Sequence, residues 1–325
     1  MRARGVIVLL QFLVLALASE AGAQTHRVPR IGYLGLGKPG ASLVGEAFRR
    51  GLHDLGYVEG RSIVVETRLA DGDEARLRAF ARELVTLKVD VIVAAGSPAI
   101  QAARAATRRI PIVMAVSGDP VAAGFVASYG RPGANVTGLS SISPELGGKR
   151  LELLKQIVPG LARVALLSNP ESPERTAEIR SLELAARTMR LQLQIVEVRR
   201  PADLEAGFAQ IRGGQDGALV ALGDAFTFVN RARIIDLATQ ARLPAMFPSR
   251  EFVEAGGLIA YGPSLPDLFR RSATYVDRIL RGASPAELPI EQPSTFELVV
   301  NRRTELLLGL DIPTAVLARA DHVFE

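Results

Sequence analysis

Apolar positions along this chain form two recurring patterns: short unbroken runs that suit strands buried on both faces, and longer stretches with helical spacing. The clearest instance is VDVIVAAGSPAIQAARAATRRIPIVMAVSGDP, from Val89 to Pro120. Val89 to Ala95 shows almost no polar alternation, as expected of a strand in a parallel sheet covered by helices. Gly96 stops the run, Ser97 stands where a helix N-cap is expected, Pro98 suits the first helical position, and Ala99 to Thr107 is an Ala-rich helical stretch. Ile110-Pro111 ends that helix and opens a second apolar strand, Ile112 to Val116, which gives way to Ser117-Gly118-Asp119-Pro120. The pattern is a βαβ unit, and in open parallel sheets ligands bind beyond the carboxyl ends of the strands.

The rest of the chain repeats the theme. Strands are predicted at Arg30 to Leu34 and Ser62 to Arg68, helices at Ser42 to Leu55 and Asp73 to Leu87, a short helix at Gly124 to Tyr129 and a closing strand at Asn135 to Gly138. A long helix from Ser143-Pro144 to about Val158 leads into a second series. Its strands are Arg163 to Leu167, Leu191 to Val198 and Gly217 to Leu222, and its helices are Pro173 to Met189, Pro201 to Ile211 and Thr227 to Gln240. Asp90, strand, Gly96-Ser97, helix, Ile110-Pro111 corresponds to Asp216, strand, Gly223-Asp224, helix, Leu243-Pro244, so one architectural unit is used twice. The expected fold is α/β: two doubly wound parallel sheets of similar size, facing each other with their strand ends across a cleft. Three crossings are available, at Gly138 to Ser143, at Gly262 to Pro266 after a strand at Leu258 to Tyr261, and at Pro289 to Pro293. Leu265 to Leu280 reads as a helix returning to the first lobe, and Phe296 to Val300 with the helix Arg302 to Leu308 would finish the chain. The lobes are thus expected at 29–140 plus about 265–290, and at 141–264 plus about 291–325.

Composition narrows the function. A chain of 325 residues with 48% hydrophobic content can bury two cores. The net charge of +5 is interspersed and only 5% of residues are aromatic, which argues against a nucleic-acid groove with its basic stripe and stacking platforms. The N-terminus reads as a signal peptide: Arg2 and Arg4, an apolar run from Val6 to Ala18, and Ala21-Gly22-Ala23 as a cleavage signal, with cleavage expected after Ala23 and export to the periplasm. An uncleaved signal anchor is the alternative. Cysteine is absent, so neither disulfides nor a lipidated cysteine can hold the protein.

Several runs then carry a family likeness. GSPAIQAA (Gly96 to Ala103), SGDPV (Ser117 to Val121), PGANVTG (Pro132 to Gly138), SNP (Ser168 to Pro170), REFVEAGGL (Arg250 to Leu258), YG (Tyr261-Gly262), EQPSTFELVVN (Glu291 to Asn301) and ARADHVFE (Ala318 to Glu325) resemble the substrate-binding proteins of ABC transporters, in the branch with tryptophan- and tyrosine-binding members. The resemblance covers nearly the whole chain after the signal peptide. It implies a type I periplasmic-binding-protein fold, with three hinge crossings and a small-molecule ligand between two α/β domains. Departures are Ser97 where Thr is common, Ala225 where Pro is common, and the missing lipidation cysteine.

Candidate chemistry follows from strand ends and helix starts. Gly35, Gly37 and Gly40 spell G-x-G-x-x-G, but Pro39 removes a backbone donor from the turn and no acidic residue ends the next strand, so a dinucleotide site is set aside. That loop is expected to border the cleft, where Tyr33 or a backbone amide touches ligand. Gly96, Ser97 and Pro98 offer a helix start that can receive a carboxylate, besides simple capping. Asp119 or Asp224 is a candidate partner for a ligand ammonium, with Asp224 favoured, and Ser117, Ser168 and Asn169 lie in the same class of loop. Arg250 is a candidate clamp for an anionic group, a surface salt bridge being the plain alternative. Tyr261 could stack on a ligand ring or pack a hinge. The three histidines, His26, His53 and His322, are placed for neither a metal nor a triad, so no catalytic residue, metal or cofactor is expected. The expected role is a monomeric, exported solute-binding component of an ABC importer, delivering an amino-acid-like or related organic ligand to an inner-membrane permease. A sensor of the same fold and an exported α/β enzyme are the alternatives.

Overall fold

The computed structural model describes residues 27–40, 42–141, 146–173, 175–214 and 217–325. The signal peptide expected at residues 1–23, the Ser143-Pro144 helix start and Asp216 lie outside the described residues. Strands β1 (Arg30–Gly35), β2 (Val64–Leu69), β3 (Val91–Ala95), β4 (Ile112–Val116) and β5 (Val136–Gly138) form a five-stranded parallel sheet in the order β2-β1-β3-β4-β5. The second sheet comprises β6 (Arg163–Ser168), β7 (Gln192–Glu197), β8 (Ala218–Ala221), β9 (Ala245–Phe247), β10 (Ile259–Pro263), β11 (Phe296–Asn301) and β12 (His322–Phe324), seven strands in the order β12-β11-β10-β9-β8-β6-β7. Read from β7, its first five strands repeat the topology of the first sheet. The two sheets are therefore of unequal size, extended by the two strands β11 and β12.

Helices cover both faces of each sheet, which is why the central strands read as unbroken apolar runs. In the first lobe, α1 (Leu43–Asp54) covers one face while α2 (Glu74–Thr86) and α3 (Ser97–Ala106) cover the other. In the second, α4 (Leu146–Ile157) and α5 (Arg175–Met189) lie on one face, opposite α6 (Leu204–Gly214), α8 (Arg231–Gln240) and α9 (Arg250–Glu254). The short helix α7 (Ala225–Val229) follows β8. Helix α10 (Leu265–Leu280) returns to the first sheet, where Leu268, Phe269 and Val276 join Ile31, Phe48 and Val93 in one core. Helices α11 (Arg302–Leu308) and α12 (Thr314–Leu317) precede β12.

The chain passes between the sheets after β5, after β10 and before β11. These segments run side by side: Ser140 N–H donates to the Glu291 carbonyl at 2.9 Å, Glu291 N–H to Gly138 at 3.2 Å, and Ser264 N–H to Thr295 at 3.1 Å. One consequence corrects the all-parallel expectation. The chain leaves β10 at its carboxyl end and re-enters the same edge from that end, so β11 runs antiparallel, with Pro263 opposite Phe296.

Other expectations change locally. Gly96, not Ser97, is the N-cap of α3; its φ of +90° belongs to glycine, and Ser97 is the first helical residue. Gly124 to Tyr129 is turn and bend rather than helix, closed by Phe125 and Val126 N–H groups donating to the Pro120 carbonyl at 2.8 and 3.2 Å. The helix expected over Thr227 to Gln240 breaks at Asn230, whose backbone departs from helical angles and whose side-chain amide donates to the Phe226 carbonyl at 2.9 Å. Strands β9 and β12 had no counterpart in the sequence reading.

Candidate functional site

Parallel strands of both sheets end at a common opening. The loops that follow β1 to β4 and β6 to β9 all contribute lining residues to one cleft, with a volume of about 1740 Å³. Tyr33, Gly96, Ser97, Pro98, Ser117 and Asp119 line it from the first sheet, and Asn169 and Asp224 from the second.

Each of these is fixed by its local chemistry. Asp119 Oδ1 accepts the N–H groups of Val121 and Ala122, both at 3.1 Å, and so pins the turn after β4. Asn169 Oδ1 accepts Glu171 N–H at 3.0 Å, an Asx turn at the end of β6. Asp224 is the N-cap of α7: its Oδ1 accepts Thr227 N–H at 2.7 Å, while Thr227 Oγ1 accepts Asp224 N–H at 3.1 Å. Tyr33 is held between Phe48 and Phe269, with ring centroids at 5.6 and 6.4 Å, and burial pushes its phenol far above the usual range. Ser117 is buried just after β4, and its hydroxyl has no hydrogen-bond partner among the described residues.

Three expected residues lie elsewhere. Ser168, the last residue of β6, is fully buried and its Oγ accepts from Arg175 Nε at 2.9 Å, so it braces α5 instead of lining the cleft. Arg250 pairs with Glu254 at 2.6 Å and lies over the Phe324 ring at 5.7 Å, which turns it toward the C-terminal strand; the plain salt bridge is what forms. Tyr261 stacks on Phe296 at 6.4 Å and packs against the core beneath α4, because strand alternation points it into the helix layer.

The helices bring in residues that strand-end reasoning passed over. Arg150 of α4, almost fully buried, donates from Nη1 to Glu178 Oε1 at 2.7 Å and from Nε to the Tyr261 carbonyl at 2.8 Å. Burial pushes the Glu178 carboxyl up, Arg150 pulls it down, and nearby Asp224 pushes it up again. Glu251, 8% exposed, also borders the cleft, and among the described residues neither of its carboxyl oxygens has a hydrogen-bond partner of good geometry. Desolvation raises its carboxyl first, Glu254 and Glu297 add to the rise, and the Ser249 hydroxyl beside it offsets part. Of the described aromatic residues, six Phe and one Tyr line the cleft, which therefore offers aromatic faces as well as charge. Phe80, Phe226, Phe228 and Phe252 stand on three separate helices, so no local spacing in the sequence marks them as one aromatic wall.

Among the described residues no group of three or more His, Cys, Asp or Glu is placed to hold a metal ion, and no helix is long and apolar enough to cross a membrane. The arrangement suits reversible capture of a small molecule with charged and aromatic parts.

Comparison with known proteins agrees with this geometry. A family described as "ABC transporter substrate binding protein" matches residues 36–324. A tyrosine-binding protein of Clostridioides difficile is 26% identical over 268 residues, covering 82% of this chain and 76% of the relative. A conserved domain protein of Vibrio cholerae superposes with a TM-score of 0.85 at 29% identity, over 91% of this chain and 100% of the other. An ABC domain from Streptococcus pneumonia, solved in complex with L-Trp, gives a TM-score of 0.85 at 24% identity, over 92% of this chain and 100% of its own.

Proposed function

Since this chain belongs to the ABC transporter substrate binding protein family, we propose that it is the exported solute receptor of an importer, holding an amino-acid-like or related organic molecule between its lobes. The observation that carries the reading is a cleft bordered by the strand ends of both sheets. Asp224 would receive a ligand ammonium, the start of α3 at Gly96 to Pro98 would face a carboxylate, and the aromatic lining would cover an apolar side chain. The names of the relatives, one tyrosine-binding and one complexed with L-Trp, support an aromatic amino acid as the first ligand class to test.

The mechanism is a population shift. Lobes formed by 29–140 with about 265–290, and by 141–264 with about 291–325, move as bodies about the three crossings. A solute that touches both lobes binds the closed form more tightly and draws the molecule toward it. Expulsion of water on closing strengthens every charged contact inside. The closed, loaded monomer docks on a permease in the inner membrane; energy from ATP is supplied by other subunits, and this chain performs no catalysis. A signal peptide cleaved after Ala23 delivers it to the periplasm.

Native mass spectrometry of the purified protein, followed by a thermal-shift screen of the L-amino acids and small carboxylates, tests this. One solute per chain and a raised melting temperature are expected. A chain that retains nothing and is stabilised by no member of the screen would contradict the reading.

A further inference from the structure

We infer that Arg231 joins the start of α3 in holding the carboxylate of the bound solute and supplies the positive charge there, an inference that rests on the solute-binding reading above. The argument begins with the cleft's cations. Among the described lining residues, Arg49 lies 3.1 Å from Glu59, Arg68 2.7 Å from Glu83, and Arg150 2.7 Å from Glu178. Arg199 lies 3.3 Å from Glu197 and Arg200 3.2 Å from Asp203. Each of these charges is already answered by the protein. Lys38 stands on the exposed loop after β1, without a rigid element beneath it.

Arg231 differs from all of them. It is half-buried, lines the cleft, and no carboxylate of the described residues lies within ion-pair distance. Its guanidinium is nevertheless fixed: the central carbon sits 4.8 Å from the Phe228 ring centroid, and Nη1 donates to the Phe228 carbonyl at 2.8 Å. A guanidinium stacked on a ring keeps its donor edges available in its own plane. One of its five donors is spent, and the rest match the two oxygens of a carboxylate. A half-buried cation with no anion beside it gains most from a ligand that brings one.

Its position agrees. Ala225 and Val229 pack against the core of the first lobe, so this segment is where the second lobe meets the first. Arg231 stands seven residues after Asp224, just past the break at Asn230 that ends α7, and both residues line the same cleft. Asp224 then takes the cationic end and Arg231 the anionic end, across α7.

The test is isothermal titration of the full mature chain with the twenty L-amino acids and their primary amides, in the wild type and in Arg231→Gln, Arg231→Lys and Phe228→Leu. Arg231→Gln is expected to weaken the best acid about tenfold to hundredfold while leaving its amide nearly unchanged. Arg231→Lys should restore part of the loss, and Phe228→Leu, which keeps the charge but removes its platform, should lose less than Arg231→Gln. Equal losses for acid and amide mean a structural role only and overturn the inference, as does an unchanged affinity for the acid. A wild type that binds amides as tightly as acids overturns the carboxylate seat while solute capture stands. A wild type that binds neither series overturns the reading beneath the inference, and the inference with it.

Discussion

Asp224 has two duties, and substitutions can separate them. Its carboxylate caps α7 through Thr227 and borders the cleft. Asp224→Ala removes both, and the lost cap alone is worth about 1 kcal/mol. Asp224→Asn keeps the acceptor and removes the charge. Urea unfolding is expected to place the Asn variant within a few tenths of a kcal/mol of wild type, while titration shows weaker binding of a cationic solute. Unchanged binding in Asp224→Asn would remove this residue from the site. Glu251 makes a second residue-scale prediction, from pH. A carboxyl held above its ordinary value binds protons more tightly in the folded state, so stability falls as pH rises from the free carboxylate range, near about 4.3, through the raised folded value. Glu251→Gln cannot ionise. Its stability relative to wild type should therefore improve over that window and stay constant below it, as read by thermal unfolding at a series of pH values. A difference independent of pH would show that burial of Glu251 carries no such cost.

Packing between elements depends on one small residue where α10 returns to the first lobe. A Cβ on Gly51 of α1 would stand 2.3 Å from the Arg270 carbonyl oxygen and 2.9 Å from Ala273 Cβ, so the two helices touch backbone to backbone. Gly51→Ala must force them apart at a cost of about 1–3 kcal/mol, despite its better helix propensity, and a lowered urea midpoint with an unchanged slope is the expected result. The sequence disclosed this element well: the apolar stripe of Leu265 to Leu280 was plain, as were the buried runs of β3, β4 and β8. It concealed what tertiary contacts decide. Ala245–Phe247 is too short to announce β9, and the half-exposed His322–Phe324 carries no strand pattern. The direction of β11 follows from where the chain re-enters the sheet, which no local pattern encodes. The site divides in the same way. Asp119, Asn169 and Asp224 were legible because turn and cap chemistry puts them at strand ends. Arg150, Glu178 and Arg231 were not, since helices converge on the cleft only in the assembled fold; Ser168 and Tyr261 were drawn off by Arg175 and Phe296, whereas the Glu254 that takes Arg250 stands one helical turn on and was legible.

At the scale of the molecule, two copies of one topology face each other, tied by three adjacent strands of chain and touching where Val229 of α7 approaches Gly72 of the loop after β2. A Cβ on Gly72 would lie 3.6 Å from Val229 Cγ1, so the lobes meet across the cleft mouth through small apolar groups. Such a contact is weak enough to open and, with a solute touching both walls, favourable enough to hold. Small-angle X-ray scattering during titration with the solute identified by native mass spectrometry is the most direct measurement. The account predicts a smaller radius of gyration that saturates at one solute per chain, in step with the heat of binding. A solute that binds with no contraction, or a contraction that does not follow occupancy, would contradict capture between the lobes.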